Sequence, residues 1–334
     1  MIRKFYSGLL GASASKKNRK ILAVRIAVSV GIIAFLLWWL PLDELLKAIQ
    51  SVPGVTWLIV IACFLLGHFV SALKWRLLLS VVGTHITVLQ AVRAHGAGLF
   101  ANLCLPSIVG GDFVRAAVIV REKGSMESIA LGSLTDRIND TFALLVLASI
   151  AGFFIPGFSS MDVGNVLTIV SVSLIASVLV GFFAIKFVPV SLFPVKIAGI
   201  VLKLRGAVDS LLSAPHIALM GFILSISIQA AFIGLNIVIA TAMNISAAWA
   251  IWFFAWPLAK LIALVPVSLG GIGVRESAMA VLMAAFGIDA ALVVAQSLSW
   301  QAVLIVSGLI SGIFVTWLPG NVAQVEQIQQ GDRA

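Results

Sequence analysis

Two stretches, PSIVGGDFVR at residues 106–115 and PVSLGGIGVR at 266–275, decide how this chain is read. Both fit P-x-x-x-G-G-x-x-x-R, and they lie 160 residues apart. Proline removes a backbone donor and paired glycines ease a sharp turn, so each motif predicts a non-helical break between two half-helices. Pro106 and Pro266 mark the helix breaks, and Gly110, Gly111, Gly270 and Gly271 are the turning points. The apolar stretches they interrupt, 88–105 with 113–120 and 247–265 with 275–286, fall into pieces too short to cross a bilayer. Helical hairpins are therefore expected over 85–123 and 246–288.

Around these breaks the chain is built for lipid. It has 334 residues, 61% of them hydrophobic and only 10% charged, with a mean hydropathy of +1.14, so no water-soluble core could hide its apolar surface. Six runs are long enough to span, at 21–40, 55–73, 126–155, 163–188, 217–243 and 290–318. Lysine and arginine mark the cytoplasmic side. With the N-terminus inside, cytoplasmic segments hold fifteen of them, Lys74 and Arg76 among them, and outer loops hold Lys47 alone. Tryptophans such as Trp38, Trp57, Trp75 and Trp317 fall near span ends, where amphipathic rings favour the interface. The segment around Lys196, Lys203 and Arg205 is too polar to span and is expected to lie along the cytoplasmic surface.

This places a basic cytoplasmic N-terminus at 1–20, a first membrane half at 21–190, an amphipathic connector at 191–216, a second half at 217–318 and a cytoplasmic tail at 319–334. The expected fold is an all-α polytopic membrane protein of six spanning helices and two broken re-entrant hairpins, in a plasma membrane of the bacterial inner-membrane type. Each half reads span, span, hairpin, span, and the two halves enter the membrane from opposite sides. That is the inverted-repeat plan in which broken helices meet near the bilayer midplane. Half-helices starting after Gly111 and Gly271 would aim their amides inward, with Arg115 and Arg275 in their first turns or so, and together make an anion site.

Ionisable groups at membrane depth are costly and often mark a substrate or proton path. Asp136 and Asp140 share one helix face, with Arg137 placed to pair with Asp140. Asp112 stands where it can cap a helix, Glu276 follows Arg275, and Lys260 lies deep in the apolar run before Pro266. Asp112, Asp136, Arg137, Asp140, Lys260 and Glu276 are thus candidates for gating or balancing charge. Asn102, Gln229, Asn236, Gln296 and Gln301 fit interhelical hydrogen bonds. Cys63 and Cys104 suit packing, and His68, His85, His95 and His216 are scattered without ligand-like spacing, so neither metal nor cofactor is expected. Asp136-x-x-x-Asp140 lacks the second acidic cluster that magnesium-dependent prenyl transfer requires, and no phosphate loop or nucleophile elbow occurs, so no catalytic constellation is expected.

At these residues the chain resembles the lysylphosphatidylglycerol synthase transmembrane family. The resemblance rests on LPSIVGGDFVR ending at Arg115, DRIND around Arg137, and PVSLGGIGVRE ending at Glu276, and it extends over nearly the whole chain. It implies a flippase-like module that translocates or presents a lipid, such as an aminoacylated phosphatidylglycerol, between leaflets. These residues hold no aminoacyl-transferase domain, so lysyl transfer is not expected of them. Other stand-alone relatives occur beside lipid glycosylation and hopanoid pathways. The expectation is a lipid transporter whose partner is a membrane phospholipid or polyprenyl lipid, with Arg115 and Arg275 on its phosphate; nucleic acid is not an expected partner. The alternatives are an accessory subunit that presents such a lipid to a partner transferase, and a membrane-embedded transferase using Asp136 and Asp140.

Overall fold

The computed structural model describes residues 49–104, 110–123, 126–155, 194–263 and 273–317, with a few single positions between 47 and 190. The expected span at 21–40 lies outside the described residues, as do Pro106, Pro266, Gly270, Gly271 and both termini, and 163–188 is described only at single positions. No strand occurs among the described residues. The helices are α1 (Gly54–Val81), α2 (Val88–Cys104), α3 (Gly110–Lys123), α4 (Met126–Gly152), α5 (Val195–Ser213), α6 (Pro215–Ala242), α7 (Trp249–Ile262), α8 (Val274–Ala284) and α9 (Ala290–Trp317).

Among them α1, α6 and α9 are long and apolar enough to cross a membrane. At 1.5 Å per residue, the 28 residues of α1 reach about 42 Å. The surface is inverted relative to a water-soluble bundle. Leu58, Leu66, Leu219, Ile223, Ile313 and Phe314 are each about half exposed or more, whereas Lys74, Asp136, Gln229, Asn236 and Glu276 are buried. Exposed apolar faces of this size around a polar interior place the chain in a membrane.

The short helices pack in pairs, α2 on α3 and α7 on α8. With 17, 14, 14 and 11 residues, each falls short of the roughly 20 needed to span. The half-helices begin at Gly110 and at Val274 rather than after Gly111 and Gly271. In the second case Gly273, at φ 86°, makes the entry turn. A side chain at Gly111 would run into the Gly98 carbonyl across the pair, and the Gly111 amide donates to Asn102 Oδ1 at 2.9 Å. Close packing of α2 and α3 is therefore part of what the paired glycines provide.

A second duplication was not read from sequence. After α1, the Val82 and Thr84 amides both return to Leu79 O and that of Gly83 goes to Ser80 O. After α6, Met243 and Ile245 return to Ala240 O and Asn244 goes to Thr241 O in the same pattern. The residue at the bend is left-handed in both, Gly83 at φ 77° and Asn244 at φ 58°, these being the residue types that tolerate αL best. Packing repeats as well. α1 meets α6; α2 crosses to α9 as α7 crosses to α4; α1 touches α9 as α6 touches α4; and α3 lies on α4 as α8 lies on α9. Each substantial contact outside the connector α5 has such a counterpart. Gly67 faces Phe232, Lys74 bonds Ser225 and Leu78 packs on Gly221, so α1 and α6 run antiparallel.

Two sequence expectations require correction. Lys74 and Trp75 were assigned to a cytoplasmic segment and an interfacial ring, but α1 continues to Val81 and both are buried within it. The apolar residues Leu77–Leu79 beyond Arg76 carry the helix on, and Lys74 is turned inward because carboxylates await it. Of the pair of cations, only Arg76 serves the turn, donating from Nε to Ile86 O at 2.7 Å.

Candidate functional site

The polar interior is a network between α1, α3, α4 and α6. Lys74 lies 3.1 Å from Asp136 and also pairs with Asp140, and it donates to Ser225 Oγ at 2.9 Å. Ser225 in turn donates to Asp140 at 2.8 Å. Arg115 donates to the other Asp136 oxygen at 3.0 Å and lies 3.5 Å from Asp112, with its guanidinium 4.4 Å over the Trp75 ring. Trp75 is itself anchored by its indole N–H to Ser133 Oγ at 3.2 Å. Arg137 pairs with Asp112, its Nε donating at 2.5 Å.

These contacts revise two local expectations. Arg137 reaches across to α3 instead of pairing with Asp140 one turn along, since Asp140 is already engaged by Lys74 and Ser225. Asp112 sits in the first turn of α3, but its carboxylate bridges Arg115 and Arg137 rather than closing a cap. Arg115 ties α3 to the acidic face of α4 through Asp136. The amides behave as interhelical bond formers: Gln296 donates to Asn236 Oδ1 at 2.8 Å, and Gln301 and Gln229 accept from Arg275 and Lys260.

A cavity of about 130 Å³ opens beside this network, lined by Asp112, Arg115, Asp136, Arg137 and Asp140 together with Gln229, Phe232, Lys260 and Gly111. Lys260 donates to Gln229 Oε1 at 3.0 Å, and no carboxylate among the described residues lies within ion-pair distance of it. Arg275 is not in this lining. It donates to its neighbour Glu276 at 2.6 Å and to Gln301 at 2.8 Å, with Trp256 5.6 Å below its guanidinium. Glu276 also accepts the Gly273 amide at 2.7 Å, which closes the first turn of α8. The duplicated arginines therefore occupy different surroundings: Arg115 meets the acidic face of α4, where Arg275 meets a neutral glutamine on α9.

Sequence reasoning missed three residues here. Lys74 was masked by the span boundary drawn at residue 73, although the apolar run resumes past Arg76. His68 and His95 stand 27 residues apart on different helices, yet His68 Nδ1 lies 3.0 Å from His95 Nε2, and both line the cavity.

UPF0104 membrane protein PH1989 of Pyrococcus horikoshii is 22% identical over 129 residues, which cover 38% of this chain and 38% of that relative's length. The family described as the lysylphosphatidylglycerol synthase TM region matches residues 22–312. With that match running through both pairs of short helices and through α4, the chain belongs to the lysylphosphatidylglycerol synthase transmembrane family.

Proposed function

We propose that this protein binds the phosphate of a membrane lipid in the cavity beside α4 and α7 and carries that lipid between leaflets without altering it chemically. The observation that carries the reading is a charge balance. Asp112, Asp136 and Asp140 are matched by Lys74, Arg115 and Arg137, which leaves Lys260 as the cation in the lining without a carboxylate partner among the described residues. A lone buried charge is expensive at membrane depth, and an incoming phosphodiester, with one negative charge, compensates it. Lys260 and Arg115 are the phosphate-facing groups in this reading; Asp112 and Asp136 hold Arg115 in place, while Arg137 on Asp112 and Asp140 on Lys74 complete the network. Arg275 and Glu276 fix the entry of α8.

The same reading takes the two halves as an inverted repeat, with α2–α3 and α7–α8 as re-entrant hairpins entering from opposite sides and both termini in the cytoplasm. The repeated left-handed turns, the matched packing and the antiparallel crossing of α1 and α6 support it. His85 and Ser246 are exposed and occupy equivalent places after those turns. In a cysteine-free background, His85→Cys should react with an impermeant maleimide from the cytoplasmic side and Ser246→Cys from the outside; labelling from one common side would refute the inversion.

Binding is tested with purified protein and dioctanoyl phosphatidylglycerol, with glycerol phosphate as the chain-free control. The lipid should bind and Lys260→Met should weaken it about tenfold or more, the range for a hydrogen bond to a charged group. Equal binding by wild type and variant would overturn the site, and tight binding of glycerol phosphate alone would point to a soluble phosphate instead.

A further inference from the structure

The cavity holds a second feature that lipid binding by Lys260 leaves unused, the hydrogen-bonded imidazoles of His68 and His95. Their tautomers follow from their neighbours. Arg115 Nη1, which can only donate, lies 3.5 Å from His95 Nδ1, so that nitrogen is the accepting one. A neutral imidazole carries one N–H, so the His95 proton is on Nε2 and is donated to His68 Nδ1 at 3.0 Å. His68 then keeps its own proton on Nε2. The pair is enclosed by Phe64, which meets His68 edge-on at 4.4 Å between ring centres, and by Phe232 at 5.1 Å.

We propose that His68 and His95 form the proton-binding site of the transporter, and that a proton enters the pair together with the lipid phosphate. This inference rests on the anion site proposed above. In the resting arrangement the remaining basic nitrogen of the chain Arg115–His95–His68 is His95 Nδ1, which faces a guanidinium. A proton taken there from water, and shared with His68 through the existing hydrogen bond, gives a monocation beside Arg115. The surroundings oppose it: Lys74 lies on the same helix as His68, Arg115 on α3, Arg137 on α4 and Lys260 on α7. The acids facing the pair, Asp112 on α3 and Asp136 and Asp140 on α4, are already engaged by cations. From α6 and α9 come Gln229, Phe232 and Trp300, which do not titrate.

An anion arriving between Lys260 and Arg115 changes the sign of that balance, because its negative charge offsets the new imidazolium. Linkage then makes the effect reciprocal: phosphate binding favours proton uptake, and protons favour phosphate binding by the same factor. A phosphodiester with one negative charge moves with one proton, so the translocated pair carries no net charge across the bilayer. The proton gradient thereby becomes a driving force for the lipid.

The test is calorimetry of dioctanoyl phosphatidylglycerol binding between pH 5 and 8, in two buffers of different ionisation enthalpy, so that protons taken up per lipid are counted directly. The probe keeps a fixed charge over this range. Wild type should take up as much as one proton per lipid and bind up to about tenfold tighter for each unit of pH lowered. His95→Gln removes the nitrogen that takes up the proton while keeping a donor for His68, and adding His68→Asn removes the remaining imidazole of the pair. His95→Gln should lower proton uptake, and the double variant should bind with no proton uptake and a flat pH profile. Wild-type binding without uptake at any pH, or uptake retained in the double variant, overturns the coupling while leaving the lipid site standing. No binding at any pH removes the lipid site, and the coupling with it.

Discussion

Replacing Lys74 by Met separates a buried network from a cytoplasmic loop by magnitude alone. The methionine keeps the apolar stem and removes an ammonium whose side chain is 1% exposed. Asp136 retains Arg115 at 3.0 Å, but Asp140 is left with the Ser225 hydroxyl as its close partner. Breaking a buried ion pair by removing one partner costs about 3–5 kcal/mol. Because Asp136 keeps a cation and the Asp140 side chain is 25% exposed, the lower end applies, about 3 kcal/mol, or roughly a 150-fold fall in the folded-to-unfolded ratio. A lysine in a solvated loop would cost within about 0.5 kcal/mol. Adding Asp140→Asn to Lys74→Met removes the stranded charge and should recover about half of the loss or more. The assay is reversible unfolding in mixed micelles followed by helical ellipticity, applied to wild type, both single variants and the double variant. A loss below about 0.5 kcal/mol for Lys74→Met, or no recovery in the double variant, would refute the buried network.

Three other outcomes follow from the packing. Gly111→Ala forces a methyl against the Gly98 carbonyl and should destabilise by about 1–3 kcal/mol in the same unfolding assay, while Ala at the open Gly234 should not. Gln296→Leu strips the buried Asn236 Oδ1 of the donor at 2.8 Å and should cost about 1–3 kcal/mol, whereas Gln296→Leu combined with Asn236→Leu should cost less. Arg275→Met leaves Glu276 with the Gly273 amide as its remaining bond and should destabilise the protein, with lipid affinity changing far less than in Lys260→Met, as measured by calorimetry.

The membrane class, the paired short helices and most of the polar residues were legible in the sequence because each has a local signature. Composition names the solvent, Pro with Gly-Gly names a break, and a charge inside an apolar run names a polar interior. Which charge meets which was not legible, since it depends on helices separated by many residues. Asp140 sits one turn from Arg137, and helix spacing alone joins them; packing of α1 and α6 against α4 instead brings Lys74 and Ser225 to it. His68 and His95 illustrate the same limit, because no spacing rule links α1 to α2 at those positions. The repeated turn around Gly83 and Asn244 escaped because the shared property is a backbone conformation rather than a residue type.

The most direct test of the central claim is lipid movement in vesicles. Purified wild-type protein and Lys260→Met, both shown to be folded and equally incorporated, are reconstituted with fluorescent phosphatidylglycerol, and label reaching the opposite leaflet is followed by reduction with a membrane-impermeant quencher. Wild type should move the lipid, and Lys260→Met should do so about tenfold more slowly or worse. Movement by the variant at the wild-type rate would contradict the assigned site; binding by wild type without any movement would contradict transport and leave a protein that holds its lipid for another.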